Sequence, residues 1–409
     1  MTETATSLPE LESLRAAVEA DLPAFLADLE HLVDIDCGSY TPEGVDEVGR
    51  WVAEAFTELG ASVETRPDPD GRLGATVIAT FDGRPGAPRV LLIGHMDTVF
   101  DAGTVAERPF HIEEGIARGP GVTDMKGGLL AGIYALKALI GEVGGLPFER
   151  LTFVANPDEE IGSPTSTPHI RAIAPEVDAC FVLECARANG DIVSSRKGIL
   201  SLRLTVGGRA AHAGVEPEKG RSAIVEAARL VRDLHALNGR WPGVTVNVGV
   251  IAGGTRPNVV AERCTLEVDV RGADRAGLEA AEAAIAEVAD AIEVADTSVG
   301  IAAEHRWWPM QKLDRSGRLV EHAKAVASSL GFDLADAATG GASDANTTSG
   351  MGVPSIDGLG PIGGNDHSPA EYLEVQSIVP RTALLAGLLL AVARDPEVLA
   401  WRSTNGGAG

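Results

Sequence analysis

Short apolar segments of strand character alternate with helical segments along the first half of this 409-residue chain. Strands are predicted at 75–81, 89–93, 151–155 and 179–183, and a helix at 127–140. This alternation is typical of an α/β sandwich with a largely parallel, buried sheet. Before it, Leu and Val at helical spacing over 9–35 predict a helix, with Pro23 starting a second one.

The pattern changes near residue 199. Strands and helices then follow in the order βαββαβ, which is the ferredoxin-like motif. They are predicted as strand 199–206, helix 222–237, strands 244–251 and 264–270, helix 278–292 and strand 298–303. Helical and strand patterns resume over 313–393, so we predict a first domain in two segments, 1–198 and 304–409, with a second domain inserted at 199–303.

The chain is acidic. Its 34 Lys and Arg residues against 59 Asp and Glu residues give a formal net charge of −25. This field repels the phosphate backbone of nucleic acids and anionic membrane surfaces, so we expect neither partner. The longest uncharged apolar stretch, 383–393, is shorter than the roughly 20 residues that span a bilayer and predicts a buried helix.

The cellular location is predicted from the N-terminus and the cysteines. The first residues have neither the basic start nor the apolar core of a signal peptide, so we expect a cytoplasmic protein. Its four cysteines lack metal-binding spacing and are expected to be reduced. The tail 403–409 is expected to be disordered.

Histidine and acidic residues follow the predicted strands. His95 and Asp97 lie two apart, hence on one side of an extended segment, where the carboxylate can orient a metal-binding imidazole. A hydrogen-bonded pair at a strand end is the alternative. The glycine-rich loop 119–128 then brings Asp124 just before a helix, where it can also serve as a cap. This loop fits neither phosphate-binding glycine motif, so no nucleotide site is expected.

Two adjacent glutamates, Glu159 and Glu160, follow the strand 151–155. One of such a pair can bind a cation while the other accepts a proton from the water that the cation activates; a solvated turn is the alternative. Glu184 follows the apolar residues 180–183, and a carboxylate is almost never buried unpaired. A bound cation would offset the free-energy cost of burying the carboxylate of Glu184.

His367 lies in a loop rich in glycine. With it, the chain supplies two histidines and three carboxylates at strand ends and loops. This mixed nitrogen and oxygen set suits zinc and is tolerated by cobalt or manganese.

The sequence argues against two other kinds of hydrolytic site. Residues 341–345, Gly-Ala-Ser-Asp-Ala, come near the nucleophile elbow of serine hydrolases, but the closing glycine is missing. The H-E-x-x-H motif is absent, which excludes the helix-borne mononuclear metalloprotease site. The remaining histidines have no acidic neighbours in the predicted elements and are interpreted as structural: His31, His111, His169, His235, His305 and His322.

On these motifs the chain resembles the zinc aminoacylase and carboxypeptidase family over about 11–393. It is most similar to the glutamate carboxypeptidase (carboxypeptidase G) type, through Gly119-Pro-Gly121, Asp158-Glu-Glu160, Thr339-Gly-Gly341 and 363–372. The resemblance implies a di-zinc aminopeptidase-like catalytic α/β sandwich with an inserted ferredoxin-like lid and dimerisation domain. It also implies two Zn²⁺ per subunit, one held by His95, Asp124 and Glu184 and the other by Asp124, Glu160 and His367. Glu159 would be the general base and Asp97 the partner of His95.

The same resemblance assigns residues outside the metal cluster. His212 matches a histidine that stabilises the oxyanion, often in the partner subunit's site. Asn258 and Arg271 match lid residues that bind the substrate carboxylate, and Gly340 and Gly341 lie in the matching substrate-binding loop. A homodimer through the lid is implied.

The substrate is the least defined expectation. Some glutamate-releasing relatives have a basic residue before the Thr-Gly-Gly loop, where this chain has Ala338; Arg196 and Lys197 are candidate replacements. We expect hydrolysis of a carboxylate-bearing N-acyl amino acid or small C-terminal peptide, with release of an amino acid such as glutamate. A deacetylase or dipeptidase of the same family is the alternative. A catalytically inactive binding protein is a remote alternative, because all five predicted metal ligands and Glu159 are present.

Overall fold

The computed structural model describes residues 6–401, and the tail 403–409 lies outside them. The strands are β1 (Ser62–Arg66), β2 (Thr76–Asp82), β3 (Arg89–His95), β4 (His111–Glu113), β5 (Ile116–Arg118), β6 (Arg150–Asn156), β7 (Ala179–Val182), β8 (Ile192–Arg196), β9 (Gly198–Gly207), β10 (Thr245–Gly253), β11 (Arg263–Gly272), β12 (Ser298–Trp307), β13 (Asp336–Thr339), β14 (Ser355–Ile356), β15 (Gly363–Gly364) and β16 (Tyr372–Glu374). The helices are α1 (Leu8–Val33), α2 (Pro42–Glu58), α3 (Thr104–Glu107), α4 (Gly127–Val143), α5 (Thr167–Ile173), α6 (Ala223–His235), α7 (Arg275–Asp290), α8 (Asp314–Ser329), α9 (Ala345–Gly350), α10 (Val375–Ala393) and α11 (Pro396–Ala400).

Two compact units divide the chain. Unit 1 contains the residues up to Ser195, Lys312–Ala338 and the residues from Ser343 onward. Unit 2 contains Arg196–Gln311 and Thr339–Ala342. Each unit has a hydrophobic core of its own, and the predicted inserted domain, 199–303, falls within unit 2.

Unit 1 is built around a six-stranded sheet in the order β1-β2-β6-β3-β7-β14. β3 pairs in parallel with β6 and β7, and β14 pairs in parallel with β7. β2 runs antiparallel to both of its neighbours, so it alone opposes the other five strands. The central strands β3, β6 and β7 are almost wholly buried, as expected where helices cover both faces of a parallel sheet. Their carboxyl ends meet at one edge.

The prediction that Pro23 starts a second helix is wrong. Pro23 lies inside α1. The buried residues of α1 continue past it as one stripe, from Leu11, Leu14 and Val18 to Phe25 and Leu29. Pro23 itself is exposed, so the carbonyl that its missing N–H leaves without an intrahelical bond faces water. Burial of the continuous stripe therefore outweighs the local preference of proline.

The longest apolar helix, α10, passes a length and composition test for crossing a membrane, but most of it is buried inside the protein. It packs against α1, α4 and α8 in the core of unit 1. Its one guanidinium, on Arg381, is fully buried and donates to the carbonyls of Gly190, Gly358 and Gly360. These hydrogen bonds offset the cost of burying the guanidinium. α10 is therefore a core helix of unit 1.

A second, smaller sheet of unit 1 has the order β15-β16-β5-β4. β15 and β16 form a hairpin in which Gly364 faces Tyr372, and Tyr372 faces Arg118 of β5. The hairpin loop contains His367, and the chain after β5 leads into the loop of Asp124. This sheet therefore brings together two loops that are far apart in sequence.

Unit 2 is a four-stranded antiparallel sheet in the order β10-β11-β9-β12. α6 and α7 pack against it, and the elements follow in the order βαββαβ. The predicted fold class, an α/β sandwich with an inserted ferredoxin-like domain, is confirmed. β10 is an edge strand whose second half is exposed.

Candidate functional site

His95 ends β3, and its buried ring is oriented by Asp97. The Nδ1 atom lies 3.0 Å from the backbone oxygen of Asp97 and 3.4 Å from its Oδ1. A proton on Nδ1 satisfies these oxygens and leaves the lone pair of Nε2 for a ligand.

Asp97 also fixes the turn that carries the two glutamates. Its carboxylate accepts the Ser39 hydroxyl at 2.6 Å and the backbone N–H groups of Glu159 and Glu160 at 3.1 and 3.2 Å. Sequence reasoning missed Ser39, because its partner lies 58 residues away and no local pattern marks it.

Asp124 lies between the two candidate histidine ligands. Its Oδ1 is 3.1 Å from Nε2 of His95, and its Oδ2 is 3.1 Å from Nε2 of His367. One carboxylate thus offers an oxygen to each histidine. This is the arrangement that a ligand shared by two cations requires.

The three glutamates complete the cluster. Glu160 Oε2 lies 3.0 Å from Nε2 of His367, and Glu184 Oε1, just after β7, lies 3.8 Å from Nε2 of His95. Glu159 has a carboxylate oxygen within 4.8 Å of potential ligand atoms on both His95 and Glu184. All the residues predicted for the metal cluster therefore meet at the carboxyl edge of the central sheet.

The charges of the cluster shift its pKa values. The carboxylates of Asp124 and Glu160 raise the pKa of His367 to about 11. Burial opposes the charged form of His95, but hydrogen bonds with Asp124 and Asp97 raise its pKa well above the usual value. Burial raises the pKa of Glu160, and burial together with the charge of Glu184 raises the pKa of Glu159 well above its usual value. An incoming cation must therefore displace protons.

Divalent cations fit this set of residues. Glu160 Oε1 is buried and has no hydrogen-bond partner among residues 6–401, which is a cost that coordination would remove. Imidazole nitrogens and carboxylate oxygens are the ligands of catalytic zinc sites. The cluster can bind a cation, lower the pKa of its water and accept a proton beside it.

Two buried charged residues of unit 1 support the loop of Asp124, and neither was assigned a role from sequence. Lys126 donates to the carbonyls of Ile35 and Pro120 at 3.3 and 3.4 Å. Glu371 accepts backbone N–H groups of the loop. The sequence signal was weak, since each is one charge at the edge of a glycine-rich motif.

The predicted lid residues lie in unit 2 but not together. His212 forms a bridge with Val259, and the Ala213 N–H donates to the carbonyl of Asn258 at 3.0 Å, so His212 and Asn258 are neighbours with exposed side chains. Arg271 is near the opposite end of β11, with its Nε 2.9 Å from Oδ1 of Asp269. Within unit 2, Arg271 is therefore separated along β11 from the neighbouring residues His212 and Asn258.

Gly340 and Gly341 are exposed in the short segment of unit 2 that follows β13. Arg196 is buried and donates through Nη1 to the carbonyl of Gly341 at 3.1 Å. Its guanidinium therefore supports this loop, which weakens its candidacy as the direct partner of a substrate acid.

One histidine interpreted as isolated has an acidic partner. His322 Nε2 lies 2.7 Å from Oδ2 of Asp395, which also pairs with Arg318. Because Asp395 is the N-cap of α11, this cluster holds the start of α11 against α8. The expectation that His322 has no acidic neighbour is therefore wrong.

Comparison with known proteins gives concordant similarities. The profile described as peptidase family M20/M25/M40 matches residues 91–391. Carboxypeptidase G2 of Pseudomonas sp. (strain RS-16) is 31% identical over 378 residues, which cover 91% of the chain and 90% of that protein. Acetylornithine deacetylase of Proteus mirabilis (strain HI4320) is 29% identical over 268 residues, or 61% of the chain and 67% of that protein. A metallo-carboxypeptidase of the M20 family from Sulfolobus solfataricus shares the fold, with a TM-score of 0.72, 16% identity and coverage of 90% of this chain and 99% of that one.

Proposed function

Because this chain belongs to peptidase family M20/M25/M40 and is a metal-dependent hydrolase of amide bonds, we propose that it acts on N-acyl amino acids or small C-terminal peptides. It would cleave the amide that joins the acyl group to a C-terminal amino acid and release that amino acid, for example glutamate. The observation that carries the proposal is Asp124, which offers one oxygen to each of two histidines. Similarity to carboxypeptidase G2 over 91% of the chain supports the substrate class.

The proposed cofactors are two Zn²⁺ per subunit, for which Co²⁺ or Mn²⁺ can substitute. His95, Asp124 and Glu184 would hold one ion, and Asp124, Glu160 and His367 the other. When bound, such ions polarise the scissile carbonyl and lower the pKa of bound water.

The residues beside the ions have separate tasks. Glu159 would accept the proton of the attacking water and deliver it to the departing amine. Asp97 would keep the Nδ1 proton on His95 and hold the turn of Glu159 in register, as its hydrogen bonds to both segments indicate.

Removal of the ions is expected to destabilise the protein. Three buried carboxylates would lose their cations, and ligand binding at about 100 times Kd contributes about 2.7 kcal/mol to stability. A chelator should therefore lower the thermal transition, and added zinc should restore it. Elemental analysis of the purified protein should find two ions per chain. A transition that does not respond to chelator or zinc would contradict the metal site.

The substrate carboxylate is assigned to Arg271 and the loop of Gly340 and Gly341 of one copy, together with Asn258, which would come from a second copy because it lies beside His212. A guanidinium can bind a carboxylate through two parallel hydrogen bonds. Arg271 is only partly exposed, with 33% of its side chain accessible, and Asp269 already holds it in place. This oriented fork is suited to a small anionic group.

Arg271→Ala is expected mainly to raise KM, because the carboxylate is present in both the ground state and the transition state. Loss of a charged hydrogen bond of about 1.5 to 3 kcal/mol predicts roughly a 10- to 100-fold increase. Steady-state kinetics with an N-acyl amino acid, and with the corresponding amide that lacks the carboxylate, measure the effect. An equal fall in kcat for both substrates would contradict the assignment.

A homodimer through unit 2 is proposed as the active form. The edge strand β10 exposes Val250 and Ile251, and Ile224 and Val225 at the start of α6 are also exposed. An exposed apolar edge strand invites pairing with another strand. A second copy of the chain supplies an edge strand with the same exposed apolar residues.

Distances within unit 2 support the same conclusion. The nine residues of β11 from Arg263 to Arg271 span roughly 26 Å, or eight steps of about 3.3 Å. His212 lies beyond the end at which Arg263 pairs with Gly207. A substrate of two residues reaches only about 7 Å. One substrate cannot contact His212 and Arg271 of the same copy, so two copies are needed if both residues act.

A panel of substrates distinguishes the activities within the family. Similarity to acetylornithine deacetylase keeps the deacetylase alternative open, and Ala338 leaves the acidic side chain of glutamate without the basic partner of some relatives. Hydrolysis of an aroyl-glutamate, an acyl-glutamine, an acetylated amino acid and a dipeptide should be compared side by side. Turnover of none of them by the zinc-loaded protein would favour the inactive binding protein.

The remaining proposals concern cellular location and binding partners. We propose a cytoplasmic enzyme that acts on small molecules, consistent with four reduced, buried cysteines. The net charge of −25 argues against nucleic acids and anionic membranes as partners.

A further inference from the structure

Glu371 lies four residues after His367 and is only 2% exposed. Both of its oxygens accept backbone N–H groups from the loop of Asp124. Oε2 accepts from Gly121 at 2.9 Å, and Oε1 accepts from Thr123 at 2.9 Å and from Asp124 itself at 3.1 Å. This buried carboxylate thus connects the two loops that carry Asp124 and His367.

The loop of His367 depends on such a connection. Asn365 and His367 both have left-handed backbone, with φ of 57° and 61°, and residues other than glycine remain there only where their surroundings fix them. The His367 side chain is 55% exposed, so its own packing contributes little to its position. The other histidine of the cluster, by contrast, ends a strand of the central sheet.

The two loops also touch at Gly363. A Cβ atom at this position would lie 2.1 Å from Oγ1 of Thr123 and 2.3 Å from the carbonyl oxygen of Tyr372. β15 therefore approaches the loop of Asp124 more closely than any side chain allows. The spacing between the loops is set by this contact on one side and by Glu371 on the other.

We propose that Glu371 is a positioning residue that sets the distance between Asp124 and His367 and thereby retains the ion on the His367 side. The inference rests on the proposed ligands of that ion. His95 and Glu184, the proposed ligands of the other ion, lie at strand ends. Binding of that ion therefore depends less on the hydrogen bonds of Glu371.

The test is Glu371→Gln, which keeps the shape but replaces one acceptor oxygen with an NH₂ group. At least one loop amide then loses its acceptor. We expect the affinity of the His367-side ion to fall about 10- to 100-fold, the usual effect of altering a partner of a metal ligand, while the other ion stays bound. Calorimetric titration of the metal-free full-length protein with zinc measures both affinities independently of activity.

Asp178→Asn is the matched control. Asp178 is buried and accepts the backbone N–H of Arg89 at 2.7 Å, at the end of β3 opposite His95. The same change from carboxylate to amide there should leave both zinc affinities unchanged. In a His367→Ala background, which lacks the second ion, Glu371→Gln should not alter the affinity of the remaining ion.

Two tightly bound ions in Glu371→Gln, or equal weakening of both, would overturn the inference. A wild-type protein that binds fewer than two ions would instead refute the proposed metal site, so the two failures are distinguishable. If Glu371→Gln does not fold, Gly363→Ala tests the same spacing, because its Cβ displaces β15 from Thr123. It should cause the same selective loss of one ion.

Discussion

Glu159→Gln is expected to lose about 10²- to 10⁴-fold in kcat while keeping both metal ions, because general base catalysis contributes that much. Glutamine has nearly the same shape but cannot take a proton from water. The variant should fold well: burial raises the pKa of Glu159 well above its usual value, so its ionised form is unfavourable and the neutral amide removes that cost. Turnover, metal content and the thermal transition are the three measurements.

The adjacent glutamate provides the control. Glu160 Oε2 lies 3.0 Å from Nε2 of His367, and Glu160→Gln should weaken metal binding. Because Glu159 is within 4.8 Å of ligand atoms on His95 and Glu184, a ligand role is the alternative for it. Unchanged turnover in Glu159→Gln, or loss of an ion with activity, would place the base elsewhere.

The sequence indicated the cluster through histidine and acidic residues at the ends of predicted strands, and the resemblance to a known family supplied the ligand set. The structure explains the pattern, because the carboxyl ends of neighbouring parallel strands meet at one edge and bring together the polar residues just after β3, β6 and β7. Sheet order, which the sequence does not encode locally, places β3 between β6 and β7. His95 consequently lies between the turn of Glu159 and the position of Glu184.

Other parts of the site depend on contacts between distant segments. Asp124 and His367 meet through the small sheet, and Glu371 acts on residues about 250 positions earlier in the chain. No periodicity marks such a contact. Pro23 differs from these contacts, because the apolar stripe that keeps α1 continuous is local and visible in the sequence.

His212→Ala is expected to lower kcat about 10²- to 10³-fold, the usual effect of removing a group that stabilises an oxyanion, with zinc content unchanged. In the proposed dimer this histidine serves the partner's site. Subunits with His212→Ala and subunits with Glu159→Gln should therefore complement each other. One site of the mixed dimer has both residues intact and the other has neither, so about half of the wild-type activity per dimer should return.

The geometry of unit 2 predicts a second complementation. Since His212 and Arg271 are separated by roughly the length of β11, one site would take them from different copies. Mixed dimers of His212→Ala and Arg271→Ala should then contain one fully intact site. If both residues came from the same copy, neither site would be repaired. Co-expression with two affinity tags isolates the mixed dimers, and each parent dimer passed through the same purification is the control. Activity no higher than that of the parents would refute the supply of His212 and Arg271 to one site by different copies.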